Sequence, residues 1–461
     1  MSPEICESCD LLVHSGLVLT VDRTNTVLHD GAIAVTKRHI CAVGSTADLK
    51  ARFRAKDTFD AKGGIVHPGF IDAHIHVSQY TSRSVLPLMS GKSITMGDWK
   101  AALTPEDEHA SAMLAAVDYL RAGYTGFVDP GTIFEPDAVA AVADTAGIRI
   151  WLTDPYVADA VTLSVFDREL ELVSPGFLAR WPKSTDAALK RLGSQLYRNR
   201  NKDALARAFI GIYGDGTATD ALWNAALTFA REQGVQFQEH RGYDPIEQLE
   251  EEAKTGRSIV GQLKDAGALG RDVTFIHMNL VHQDDVAVLG DTGTGIVWCP
   301  FQQMRAMGTR RAEPRMVELA RAGATVAVGT DIPRNLNFDA LGSVAVCNAA
   351  ALGVPLQAGE LLRMRTIGGA MSVGADNEVG SLEAGKRADF VVREPASSEA
   401  LGLDPFAEAA VVGLTRSPAL TVINGEIVLQ HGQLLRIDQG EAAFTARMSV
   451  KGLLTRTGIA A

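Results

Sequence analysis

The feature that most limits the fold is an alternation running through the middle of the chain. Short β-type runs occur at Gly69–His76, Thr125–Pro130, Arg149–Tyr156, Ala208–Tyr213, Val235–His240, Val273–Met278, Gly295–Pro300 and Thr325–Asp331. Helix-length amphipathic stretches separate them, including Glu106–Ala122, Thr219–Gln233, Pro245–Ala266 and Arg315–Ala322. Strands that alternate with helices build a parallel sheet with crossover helices. Eight such repeats predict a closed α/β (β/α)8 barrel of TIM type. An open doubly wound sheet shares the alternation, but no Gly-x-Gly-x-x-Gly follows any strand.

The two ends have a different texture. Polar turns break short β-rich runs at Asp10–Val21, Gly31–Val35 and His39–Gly44, and again at Ala388–Arg393 and Leu420–Leu429. Asn424-Gly425 is a two-residue hairpin signal. Residues 1–65 and 381–461 are therefore expected to form one small β-sandwich domain around a barrel at 66–380.

Composition narrows the partners. The 461 residues are 46% hydrophobic and 21% charged, as in an ordinary globular protein. A net charge of −11 argues against a nucleic-acid surface, which needs clustered Lys and Arg. No apolar run approaches a membrane span, and the first residues lack a signal-peptide pattern. A cytoplasmic enzyme with a small-molecule substrate is the expectation. Five cysteines make no disulfide framework. Cys6 and Cys9 form a C-x-x-C without two further ligands nearby, and read as thiols entering a first strand. Cys299 and Cys347 read as core residues.

Barrel active sites lie at the carboxyl ends of the strands. The first strand ends Gly69-Phe-Ile-Asp-Ala-His74-Ile-His76, and its period of two points both imidazoles to one side. The fifth strand ends at His240 and the eighth at Asp331. Three imidazoles and a carboxylate suit one divalent metal ion, with zinc the default and cobalt, iron or manganese compatible.

Val66-His-Pro-Gly-Phe-Ile-Asp-Ala-His74-Ile-His76-Val-Ser-Gln79 resembles the opening signature of the amidohydrolase superfamily, and Val379-Gly-Ser-Leu-Glu-Ala-Gly-Lys-Arg-Ala-Asp389 resembles its carboxy-terminal hallmark. The H-x-H-x-x-Gln form is similar to the branch of triazine hydrolases and adenosine- or homocysteine-linked deaminases. The resemblance implies His74, His76, His240 and Asp331 as metal ligands, His277 as the catalytic histidine of strand six, and a homo-oligomer. Two-metal members carry a bridging lysine at the end of strand four; the stretch Ala208–Asp215 has none, which implies a single metal.

In such an enzyme the metal activates water, Asp331 carries its proton, and His277 polarises the attacked group. Gln79, Tyr243, Asn279, His282 and Arg180 are candidate substrate contacts. Phe177, Trp181, Trp298, Phe301 and Met304 are candidate apolar walls, and Arg305 a candidate gate. Deaminases of this branch carry a glutamate three residues after the strand-five histidine, where this chain has Tyr243. A phenol is a much weaker acid than a tuned carboxyl. This departure directs the expectation toward attack by metal-bound hydroxide on an acyclic carbonyl (an amide, urea, carbamate or thiocarbamate), as in the phenylurea and thiocarbamate herbicide hydrolases. The alternative is a deaminase or dechlorinase of an amino-substituted heterocycle.

Overall fold

Strands whose side chains are mostly buried alternate with capped helices in the middle of the chain. In this computed structural model, residues 7–85, 95–160, 174–214, 216–307, 312–332, 338, 340–394, 403–412 and 416–458 are described. Cys6, Asp215 and the side chain of Arg305 lie outside them.

Helix Pro105–Ala122 shows how these elements are delimited. Thr104 accepts from the Asp107 amide while Asp107 accepts from the Thr104 amide, Pro105 starts the first turn, and Gly123 at φ 86° ends it. The stretch Pro245–Ala266, expected as one helix, is two. It breaks at Gly256, where φ is 67°, and restarts with Ser258 capping Ile259–Asp265.

The barrel strands are, in order, Phe70–Asp72, Tyr124–Val128, Arg149–Leu152, a fourth in two pieces (Ala206–Ala208 and Ile210–Gly214), Phe237–Arg241, Val273–His277, Gly295–Trp298 and Thr325–Val328. All neighbours pair in parallel. The first half of strand four pairs with strand three and the second half with strand five, which joins the four- and five-stranded sheets. Strands one and eight close the ring where the Ala73 amide donates to the Val328 carbonyl (3.1 Å) and the Asp331 amide to the His74 carbonyl (2.8 Å). Gly329 stands beside that seam. A Cβ there would lie 2.7 Å from the His74 Cβ, so only glycine lets strand eight approach His74 this closely.

Both chain ends enter one nine-stranded sheet, in which Phe390–Arg393 pairs antiparallel with Ile65–Pro68, itself parallel to Glu7–Leu19. Leu11, Val13, Ile33, Val66, Phe390 and Val422 share a core of their own, separate from the barrel's. At the predicted hairpin, Asn424 and Gly425 have φ of 54° and 81°, and a Cβ on Gly425 would collide with the Lys37 carbonyl. Cys9 is buried in the first strand and Cys299 is buried beneath the barrel mouth. Cys347, expected in the core, is exposed, because its helix Ala340–Ala351 turns Leu341, Ala345 and Asn348 inward instead. Among the described residues, no helix is long and apolar enough to cross a membrane.

Candidate metal centre

The carboxyl ends of strands one, five, six and eight converge on a cluster of imidazoles. His74, His240 and His277 each present a ring nitrogen within 4.8 Å of the others, and all three are buried. The His76 ring centre lies 4.9 Å from that of His74 and 5.5 Å from that of His240. Asp331 closes the set. Its Oδ1 is 3.0 Å from His76 Nε2 and 3.4 Å from His74 Nε2, while Oδ2 faces His277 Nε2 at 4.0 Å. Cys299 belongs to a second trio with His74 and Asp331, at the foot of the site.

Neighbouring groups fix these side chains. Asp72 accepts from the His74 amide (3.1 Å), the Thr330 amide (3.1 Å), the Thr330 hydroxyl (2.6 Å) and the Tyr119 hydroxyl (2.5 Å). That carboxylate ties the turn bearing His74 and His76 to the end of strand eight. Asp129, directly after strand two, accepts from the amide of Val77, the residue that follows His76 (3.0 Å). His240 Nδ1 lies 2.7 Å from the Tyr213 carbonyl, which can only accept. Nδ1 therefore carries the proton, and Nε2 turns its lone pair into the cluster. Asp331 and His277 hold φ of 62° and 84°, a left-handed backbone that costs non-glycine residues about 1–3 kcal/mol each. Strain of this kind is kept where the surrounding structure aims a functional group.

Burial controls the charges. It holds the His240 imidazole well below its ordinary range, and lowers His76 to about 4 and His277 to about 3. All three are neutral at pH 7, the state that offers a lone pair. Burial alone would raise Asp331, but hydrogen bonds from His74 and His76 outweigh it and hold the carboxyl well below the usual range. His240 Nε2 is buried with no hydrogen-bond partner among the described residues. Lone pairs converging from neutral imidazoles beside a carboxylate form a donor set that fits one divalent ion, zinc first. Strand four carries no lysine to bridge a second ion.

The other candidates fall into two groups. Gln79 sits in a short 3-10 helix directly after His76, fully buried, with neither amide atom partnered among the described residues. The Tyr243 ring stands edge-on to His277 with centres 4.9 Å apart, and its carbonyl accepts from the Asn279 amide side chain at 2.9 Å. Asn279 thus braces the Tyr243 loop. The Tyr213 ring lies against His240 at 5.2 Å and continues into Trp181, Tyr156 and Phe177, an aromatic wall of which the sequence pointed to two members.

His282 and Arg180 are not brought to the cluster. His282 Nε2 pairs with Glu252 at 2.7 Å with its side chain 41% exposed, since it begins the helix after strand six. Arg180 donates to the Leu103 carbonyl (2.9 Å) and lies 3.5 Å over the Phe134 ring, bracing the wall from behind. Met304 is exposed, while Trp298 is buried and donates to Gln303 on the outer side of strand seven. Asp72, Asp129 and Tyr213 were not singled out in the sequence. Asp72 lies inside the opening motif, whereas nothing in the spacing marks the other two.

Comparison with known proteins adds to this geometry. Residues 65–428 match the amidohydrolase family. The chain is 28% identical to a 5-methylthioadenosine/S-adenosylhomocysteine deaminase of Syntrophobacter fumaroxidans, over 94% of this chain and 95% of that one. It is 23% identical to a 5'-deoxyadenosine deaminase of Methanosarcina mazei, over 97% and 99%. Among solved structures, it is similar to an adenosine deaminase from Xanthomonas campestris with bound zinc, with a TM-score of 0.84 and 25% identity over 98% and 100%. A zinc-bound atrazine chlorohydrolase from Arthrobacter aurescens shares the fold at a TM-score of 0.77 and 22% identity, over 95% and 100%.

These relatives overturn the expected attack on an acyclic carbonyl, together with the likeness to phenylurea and thiocarbamate hydrolases and a role in herbicide degradation. That expectation rested on one replaced side chain, Tyr243, and gave too little weight to the other protic groups at the mouth. Asp331 and His277 face each other across 4.0 Å, with Tyr243 against His277. With a family match across most of its length and the cluster at its strand ends, the chain is an enzyme of the amidohydrolase family.

Proposed function

We propose that the chain is a hydrolytic deaminase of adenosine-type nucleosides. Water adds to the amino-bearing carbon of the purine, the amino group leaves as ammonia, and a ring carbonyl remains. Near-full-length similarity to proteins named as deaminases of adenosine derivatives carries this reading. His74, His76, His240 and Asp331 are the residues that would hold the metal. A divalent ion there supplies Lewis acidity, bringing the pKa of a water toward about 7.

The chain's own residues have distinct tasks. Asp331 is ionised at neutral pH, so it begins as proton acceptor and later hands the proton to the departing amine. His277 is neutral, so it orients and polarises through hydrogen bonds and brings no positive charge. Gln79 offers an acceptor and a donor in a buried setting, the pair needed to hold the edge of a purine. Tyr213 and the rings behind it offer a flat wall for a planar base. Tyr243, the protic side chain against His277, assists protonation of the ring nitrogen.

The test is ammonia release by the metal-loaded protein from adenosine, 5'-deoxyadenosine, 5-methylthioadenosine and S-adenosylhomocysteine. Turnover of at least one is expected. Inertness toward all four would sink the proposal.

A further inference from the structure

A cavity of about 400 Å³ opens at the amino ends of strands three to five, the barrel face opposite the metal centre. Its size is that of a small-molecule pocket. Trp151, Val373 and Val379 give it an apolar wall. Two polar side chains, each more than nine-tenths buried, are set in that wall: Arg149, which begins strand three, and Gln236, directly before strand five. Arg149 spends Nε and Nη2 on Asp389 (2.5 and 2.9 Å), and Nη2 also meets Asn424. Nη1 has no hydrogen-bond partner among the described residues and is not sealed off, so it keeps its surface on the cavity that Arg149 lines. Gln236 donates from Nε2 to the Arg271 carbonyl (3.1 Å) and the Thr274 hydroxyl (2.9 Å). A carbonyl only accepts, so the amide's orientation is fixed and Oε1 is the atom left over. It stands beside Gly374, another residue of the lining, 3.6 Å from where a Cβ on that glycine would lie.

Charge pairing sets the kind of ligand. Each guanidinium on the cavity meets a carboxylate: Arg149 with Asp389 at 2.5 Å, Arg231 with Asp272 at 2.6 Å and Arg207 with Glu378 at 3.5 Å. The positive charges are matched one for one, so neither an anion nor a cation is favoured. What remains open is one donor, Arg149 Nη1, and one acceptor, Gln236 Oε1. We infer that this cavity is a second binding site, for a neutral planar molecule carrying both a carbonyl and an N–H, as in an amide, a urea or a lactam ring. Its carbonyl accepts from Arg149 Nη1, its N–H donates to Gln236 Oε1, and its plane lies on the wall of Trp151 and Val373. The inference is independent of the reaction at the metal.

Three probes of matched shape test it on the full-length, metal-loaded protein. Benzamide carries the carbonyl and the N–H, acetophenone the carbonyl alone, and benzoate a negative charge. Calorimetric titration is expected to show benzamide binding at least about tenfold more tightly than either of the others. A crystal soaked in benzamide should place its carbonyl on Arg149 Nη1 and its N–H on Gln236 Oε1. Ala375→Phe fills the cavity from a half-buried position of the lining, at the far end of the barrel from the metal centre. It should weaken benzamide binding at least about tenfold while leaving the melting transition in place. The probe comparison and the soaked crystal decide the matter even if that variant does not fold. Acetophenone or benzoate binding as tightly as benzamide, binding indifferent to Ala375→Phe, or a soaked crystal with only water on Arg149 and Gln236 would overturn the assignment.

Discussion

Replacing Gln79 by methionine should make the protein more stable and less active. Gln79 is fully buried with both amide atoms unpartnered among the described residues, and a buried polar group left unsatisfied costs about 1–3 kcal/mol. Methionine has the same unbranched reach, so Gln79→Met removes that cost without opening a cavity. Ordered water can recover part of the cost in the free enzyme. The net gain is therefore set at about 1 kcal/mol, which for a chain of this size is a rise in melting temperature of about 1–3 °C. In the complex with substrate the same amide makes a hydrogen bond worth about 1.5 kcal/mol or more, so kcat/KM for the adenosine derivative should fall at least about tenfold. Scanning calorimetry at one fixed rate, beside initial rates of ammonia release, reads both quantities. A lower melting temperature with unchanged kcat/KM would refute the reasoning, because it would make Gln79 a packing residue.

Three further outcomes follow from the geometry. Tyr243→Glu places a carboxyl beside His277, and should raise ammonia release at least about tenfold at unchanged metal content; a fall in rate would show that the phenol does more than stand in for an acid. Asp389→Ala strands the buried Arg149 guanidinium, which Asp389 meets at 2.5 and 2.9 Å, and should cost about 3–5 kcal/mol in chemical denaturation, with Asp389→Asn less severe. Glu108 is buried against the amides of Phe134 and Glu135, and burial raises its carboxyl from the ordinary 4.5 to about 7. The folded state therefore holds an extra proton between those two values, and the stability that proton brings is lost as pH rises through the window. Its amplitude is on the order of 3 kcal/mol. Glu108→Gln should flatten that part of the melting profile, and an unaltered slope would assign it to other groups.

How much was legible in the sequence depended on whether a feature was local. The alternation of strands and helices needs only near neighbours, and the barrel is what it indicated. His74 and His76 share a side of one strand end because the strand period is two, and the structure brings them together with His240, His277 and Asp331. Strand one is nevertheless regular only over Phe70–Asp72, because Asp72 turns back onto the His74 and Thr330 amides. The features that escaped are made by groups distant along the chain. His282 is drawn off by Glu252, thirty residues earlier, and Arg180 by the Leu103 carbonyl. Asp129 reaches Val77 across strands, and the orphaned amide of Gln79 is a property of its surroundings. Tyr243 marks the limit of reading chemistry from one position. Its identity was plain, but the consequence of losing a carboxyl there depends on the other protic groups at the mouth.

The most direct measurement is metal content per chain paired with ammonia release, for the native protein, the chelated protein and His240→Ala. One divalent ion per chain is expected, with activity lost on chelation and restored when zinc is added back. His240→Ala should bind metal poorly and release almost no ammonia. Full activity after exhaustive chelation, or a His240→Ala protein that retains both metal and rate, would contradict a metal centre built on His74, His76, His240 and Asp331.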